Sequence, residues 1–336
     1  MDSLSQLALG AAVGVAVMGR RTAVWKAAAW GAVCGTLPDL DVVIDYGDPI
    51  RNMTLHRAES HAFFYLTLLS PLLAWLIVKI HGEMDRFRRW WLTVWLALVT
   101  NPLLDLMTVY GTQVALPFTD RPFGVGSIFI IDPLYTLPLV VGVIVALVAR
   151  DPMRGARWNA AGLLLSTAYL GWSFGAQQHV ASIAADSLQR EGIDAQSVLI
   201  TPAPFNTLLW RVVAITPNEF HEGYHSLLDR ERRIAFDRFP RGAALYDEIR
   251  GDTDVERIAR FSRGFFKLSQ DGTRVLITDL RMGQEPFYTL AFAVGERHST
   301  TVPVDPPVQV GNRMPFERGL PWLWRRMRGE FVAPPR

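Results

Sequence analysis

The chain has 336 residues, 50% of them hydrophobic, a mean hydropathy of +0.16 and a formal net charge of +2. It is too apolar for an average soluble protein and too polar to be membrane throughout. Its basic residues are spread among loops instead of gathered with aromatics on one face, which excludes the electrostatic footprint of a nucleic-acid binder. Cys34 is alone, so there is neither a disulfide framework nor a cysteine-based metal site.

Up to about Gln178, long apolar blocks alternate with short polar joints, and from about Ala184 onward the sequence is ordinary mixed polar and apolar. A boundary near residue 180 follows. It divides an α-helical polytopic membrane domain (1–180) from a soluble α+β domain (181–336). The apolar blocks are Leu4 to Gly19, Val24 to Leu37, Ala62 to Ile80, Trp90 to Met107, Leu134 to Ala149 and Trp158 to Gly175. A bilayer-crossing helix takes about 20 mostly apolar residues. The third and fourth blocks meet that length, and the fifth and sixth come close. The first two are short and rich in Gly and Ala, which suits a tightly packed hairpin or a pair that enters the membrane partway. The first block lacks the positive region that precedes the apolar core of a signal peptide. The expectation is about six spans.

Lys and Arg in short loops set orientation. The first, third and fifth joints carry Arg20, Arg21 and Lys26, then Lys79, Arg86, Arg88 and Arg89, then Arg150, Arg154 and Arg157. These loops read as cytoplasmic. Both termini and the C-terminal domain then lie outside the cytoplasmic membrane. This orientation gathers polar residues on the outer face: Asp39 and Asp41 at the end of the second span, His56 and His61 before the third, Asn101 and Asp105 in the fourth, and Asp132 before the fifth.

Ionisable groups near bilayer depth are costly, by about 2.5–3.5 kcal/mol each at a helix centre, and ask for a partner or a purpose. A cation answers both needs. Carboxylate oxygen together with imidazole nitrogen suits Zn, then Mn or Fe. Asp39 and Asp41 follow Pro38 in a helix-ending turn that can aim both at one ion. His56 and His61 are five apart, about 140° on a continuous helix, which puts His56 before the helix and His61 in its first turn. Asn101 and Asp105, four apart, share a helical face. The bland alternatives are solvated loop carboxylates for Asp45 and Asp48, a helix N-cap for Asp132 before Pro133, and an interfacial aromatic belt and packing for Trp90, Trp91 and Trp95.

Further along, "HEGYH" (His221 to His225) matches the zinc-protease pattern, whose mechanism requires a helix. Here the β-branched flank, the Thr216-Pro217-Asn218 turn and Gly223 predict a hairpin strand instead. Strands are expected at 198–201, 208–215, 220–228, 234–239, 265–269, 275–280 and 288–294, with helices at 243–250 and 254–262, which gives a mostly antiparallel sheet. "LPWLWRRMRG" (Leu320 to Gly329) mixes Trp322 and Trp324 with three arginines and reads either as an interfacial helix or as an ordinary surface helix.

The ordered set "MDSLSQLALGAAVG", "GTLPDLD", "HRAESHAFF", "TNPLLDLMTVYGTQ", "SIFIIDPLYTLP" and "TPAPFNTLLW" resembles the YdjM-like family of predicted membrane-bound metal-dependent hydrolases. The resemblance implies a bacterial inner-membrane protein and a metal-hydrolase activity. It carries the family's acidic and histidine motifs onto Asp39, Asp41, His56, His61 and Asp105. The chain departs at Asn101, where the family pattern leads one to expect histidine, and at Gln6, where many members have histidine. Both positions are weaker ligands or neighbours of the ligands, as is Asp132.

The functional expectation is a metal-dependent hydrolase acting at the outer membrane surface on an ester or phosphoester, such as a lipid or envelope component, with Asp41 as general base and a divalent cation as cofactor. The alternatives are a non-catalytic scaffold or ion-binding protein with a partner-binding C-terminal domain, and a zinc protease through His221 and His225. Transport is disfavoured because the polar residues lie on one side.

Overall fold

The computed structural model describes residues 1–298 and 300–336. The first apolar block forms α1 (Ser3–Met18) and the second α2 (Val24–Thr36). A short helix, α3 (Pro49–Leu55), precedes α4 (Phe63–His81), α5 (Phe87–Leu106), α6 (Pro133–Val148) and α7 (Pro152–Arg190). Each of the six apolar blocks thus coincides with a helix. Of these, α4 is long and apolar enough to cross a membrane by its own length and composition, while α1 and α6 are shorter apolar helices.

The chain divides into two compact units. The first contains residues 1–44, 56–173 and 204–206 and is helical. Its centre is built where small residues permit close approach. Gly10 and Gly14 on α1 face Gly31, Gly35 and Ala27 on α2, and a Cβ at Gly10 would run into the carbonyl oxygen of Gly31, as one at Gly14 would into that of Ala27. Small residues spaced four apart let helix backbones approach in lipid, where burying apolar surface gives no gain. Around this pair, Met18, Ala27 and Cys34 pack with Ile77, Val78, Trp90, Val94 and Leu98 of α4 and α5. Trp90 is completely buried and donates to Glu83 Oε2 at 2.8 Å, so it is core and not part of an aromatic belt.

The second unit contains residues 45–55, 174–203 and 207–336. Strands β1 (Ser197–Pro202), β2 (Leu209–Ile215), β3 (Glu219–Ser226) and β4 (Phe236–Pro240) form one antiparallel sheet in sequence order. Two helices follow, α8 (Ala243–Ile249) and α9 (Thr253–Phe261), the latter capped by Asp252. Strands β5 (Phe266–Asp271) and β6 (Arg274–Asp279), the two-residue ribbon β7 (Gly283–Gln284) and β8 (Phe287–Tyr288), and strands β9 (Ala291–Arg297) and β10 (Thr301–Gln309) come next. The second large sheet has the order β10-β9-β6-β5, again antiparallel. Helix α10 (Phe316–Met327) follows. The expected single sheet is therefore two. Arg211 ties them together, because its Nε lies 2.6 Å from Glu222 Oε1 on β3 while its Nη1 donates to the Leu280 carbonyl just past β6.

The protease-like motif lies within β3, as its turn and β-branched flank predict. Residues four apart on a strand are separated by about 13 Å, and Glu222 is buried in ion pairs with Arg211 and Arg336. His221 and His225 each face an acid of their own, Glu219 at 3.8 Å and Asp229 at 3.3 Å. The zinc-protease alternative is set aside because this geometry offers no shared ion site and no accessible base.

Two predictions follow from this packing. Gly31→Ala forces α1 and α2 apart at a cost of about 1–3 kcal/mol, read as a lower melting temperature in detergent, whereas Gly171→Ala, which meets no neighbouring atom within 4 Å, leaves it unchanged. Burial lowers the pKa of His221 and of His225, outweighing the acids beside them. Unfolding then takes up protons, so the C-terminal unit keeps this stability above about pH 6.5 and loses it as pH falls below that value. The melting temperature of the strand circular-dichroism signal should accordingly drop between pH 7.5 and 5.5, and drop less in His225→Gln.

Candidate metal centre

Helix α2 passes at Thr36 into a tight 3-10 segment, Leu37–Val43, with Pro38 in its first turn. That turn carries Asp39, which is partly exposed, and Asp41, which is buried. The segment from His56 to His61 reverses direction at Arg57, whose φ is +66°, and ends in a second 3-10 turn, Glu59–His61, immediately before α4. His61 is fully buried there. Asn101 and Asp105 lie one turn apart on α5, both buried.

These pieces meet. Asp39, His61 and Asp105 each offer a ligand atom within 4.8 Å of the others. His61 Nε2 is 3.3 Å from Asp39 Oδ1 and 3.3 Å from Asp105 Oδ2. The other ring nitrogen, Nδ1, is 2.8 Å from Ser60 Oγ, and Ser60 Oγ donates to Asp41 Oδ2 at 2.6 Å. Because the hydroxyl proton goes to Asp41, Ser60 accepts from His61 Nδ1–H, and Nε2 is the nitrogen that faces Asp39 and Asp105, donating to them whenever it carries a proton. Loss of that proton gives the ligand tautomer of histidine, with a carboxylate behind it.

Asp41 does more than this. Its Oδ2 also accepts from the Arg57 backbone N–H at 2.9 Å, and its Oδ1 lies 2.8 Å from His56 Nδ1. Burial opposes its ionisation, but the His56 ring, the Ser60 hydroxyl and the Arg57 N–H together hold its pKa down at about 2. The His56 and His61 rings stand 6.2 Å apart. Asp41 and His56 therefore border the triad.

The two positions that depart from the family pattern lie at the same spot. Gln6 Nε2 donates to Asp105 Oδ1 at 3.2 Å, and Asn101 Nδ2 donates to Asp39 Oδ2 at 2.9 Å. Their amide oxygens are buried without a hydrogen-bond partner, whereas Asp105 Oδ2 lies within ion-pair distance of the His61 ring and the Arg57 guanidinium. Buried orphan acceptors are costly. Two carboxylates and an imidazole nitrogen within 4.8 Å of one another make a donor set compatible with a divalent cation. Asp132 instead caps α6, accepting from Leu134 N at 3.0 Å and from Tyr169 Oη at 2.9 Å.

Sequence reasoning passed over Arg57 and Ser60, although both stand inside the "HRAESH" run between the two histidines. Arg57 is 5% exposed. Its Nε is 3.0 Å from Asp105 Oδ2, its guanidinium lies 5.0 Å from the Tyr110 ring centroid, and its Nη1 has no hydrogen-bond partner. The Met1 ammonium also pairs with Asp105 Oδ1.

Comparison with known proteins bears on this arrangement. An uncharacterized protein, YfhP, of Bacillus subtilis (strain 168) is 22% identical over 317 residues, covering 90% of this chain and 93% of that protein. No solved structure matches. The model of the YdjM inner membrane protein family matches residues 1–180, the stretch that holds every residue of the triad and its surroundings. The chain belongs to the YdjM inner membrane protein family.

Proposed function

We propose that this inner-membrane protein is a metal-dependent hydrolase acting on an ester or phosphoester, such as a lipid or envelope component, at the outer membrane surface. The observation that carries this reading is the convergence of Asp39, His61 and Asp105 on one point, with His61 Nε2 turned toward both acids. In this reading the three hold a divalent cation, zinc first and manganese or iron next, with the Asn101 and Gln6 amides beside it. Bound there, the cation supplies Lewis acidity toward an ester or phosphoryl oxygen.

The chain's own groups divide the remaining work. Asp41, held ionised, orients both imidazoles, and the His56–Asp41 pair takes and returns the proton, since the His56 side chain is 22% exposed and Asp41 only 2%. A carboxylate behind a histidine fixes its tautomer and supports its positive charge. Arg57 presents its unpartnered Nη1 to an anionic oxygen, which favours a phosphoester over a carboxylic ester. The six apolar helices cross or enter the bilayer together, with the arginine-rich joints in the cytoplasm and the C-terminal domain outside.

A second reading is a non-catalytic scaffold in which the cluster is an ion-pair staple. The meeting of Arg57 and the Met1 ammonium at Asp105 favours it.

Elemental analysis of detergent-purified protein separates the two. The hydrolase reading expects stoichiometric Zn, Mn or Fe in the wild type, its loss in His61→Ala, and metal affinity about 10–100-fold weaker in Asp41→Asn. A wild type that holds no metal and melts at the same temperature with and without chelator would leave the staple. Arg57→Lys should keep its metal while phosphodiester turnover falls by about 10²-fold.

A further inference from the structure

Helix α10 holds onto its own domain by one side only. Trp322 is buried, packs edge-on against the Tyr224 ring at 5.0 Å and donates to the Val332 carbonyl at 3.1 Å. Arg326, also buried, is clamped by both oxygens of Asp229 at 2.6 and 2.7 Å. The neighbouring face is different. Phe316, Leu320 and Trp324, spaced four apart, are 72%, 47% and 59% exposed. At about 100° per residue they fall within an arc of about 80°, and Trp324 points about 160° away from Trp322. Arg325, Arg328 and Arg318 follow on the next arc, all exposed, with Arg325 Nε 2.8 Å from Glu330 Oε2 just past the helix. Single exposed apolar residues need no explanation, but a row of three large ones along one helix does.

We propose that this face of α10 lies on an anionic lipid surface. The apolar row would enter the headgroup boundary while the arginines beside it meet lipid phosphates. A helix with an apolar face of large side chains, a cationic polar face and low overall hydrophobicity is the form that binds in the plane of a membrane interface. Charge complementarity selects the lipid. Arg313 precedes the helix and adds to the cationic edge, whereas Glu317 is the one acid within the helix. Basic residues near an anionic surface each contribute to attraction, whereas a zwitterionic surface gains only from the apolar row. The proposal is independent of the metal centre, because every residue in it belongs to the second unit.

The test uses the full chain reconstituted in vesicles. In a Cys34→Ala background, Trp324→Cys carries an environment-sensitive fluorophore, with Leu320→Cys as a second probe on the same face and Asp271→Cys, at the exposed β5–β6 turn, as control. In vesicles containing phosphatidylglycerol, the 320 and 324 probes should be quenched at least twofold more by nitroxide on lipid chains than by aqueous iodide, with the control reversed. Replacing Arg318, Arg325 and Arg328 by Gln together, or removing the anionic lipid, should cut that ratio at least in half. A ratio that ignores both changes would overturn the anionic surface. Equal iodide quenching at 320, 324 and 271 would overturn membrane contact altogether. Protection that persists in detergent micelles without lipid would assign the face to a second copy of the chain, and would also overturn the proposal.

Discussion

Three carboxylates, Asp39, Asp41 and Asp105, sit among apolar helices, and each has to be met by something positive or by hydrogen-bond donors. Ionised groups in such surroundings cost several kcal/mol when unpaired. The local structure follows from that demand. Asp41 Oδ2 is satisfied by the turn it faces, through the Arg57 N–H and the Ser60 hydroxyl, and its Oδ1 lies 2.8 Å from the His56 ring. Asp39 and Asp105 are only partly satisfied, by amide donors and ion pairs, and both look onto the same imidazole nitrogen. The Ser60 bridge decides which nitrogen that is. With Nδ1–H held by Ser60, Nε2 is the atom turned toward the two acids, where it donates a proton or, once deprotonated, can ligate.

The close contact of α1 with α2 is what makes such a meeting point available. Gln6 comes from α1, Asp39 from the turn after α2, and Asn101 and Asp105 from α5, so three helix backbones must converge within side-chain reach. Glycines at 10, 14, 31 and 35 remove the side chains that would hold the first two apart. The small residues that strip side-chain bulk from the facing sides of α1 and α2 are what make the two helices effective as packing partners.

Much of this was legible in the chain. The apolar blocks became helices close to their expected bounds because long apolar runs have few other ways to satisfy their backbone. The Asp39 to His61 segment stood out through the number of costly groups in a short length, and two of them meet Asp105. Other features left no signal of their own. Strand β10 contains Pro303, Pro306 and Pro307, residues that ordinarily argue against a strand, and an edge position in its sheet accommodates them. Helix α7 continues to Arg190 through a stretch whose apolar character has faded, because Ala-rich sequence keeps helical propensity after hydropathy is gone. Alternation marks which residues form strands but not which strands share a sheet, so two sheets looked like one. Arg57 and Ser60 were hidden for another reason: their importance lies in which atom each one meets, and spacing does not carry that.

In the proposed metal centre, amides at positions 6 and 101 in place of imidazoles would change its character as well as its strength. An imidazole must be deprotonated to ligate, so a site built from several histidines empties steeply as pH falls. An amide oxygen has no proton to lose and is a harder donor. With Gln6 and Asn101 donating to the two carboxylates, His61 supplies the one imidazole nitrogen of the triad beside two carboxylates. Such a shell discriminates less sharply in favour of borderline metals and tolerates a harder cation. Its occupancy would follow which metal the surroundings supply more closely than how acidic they are.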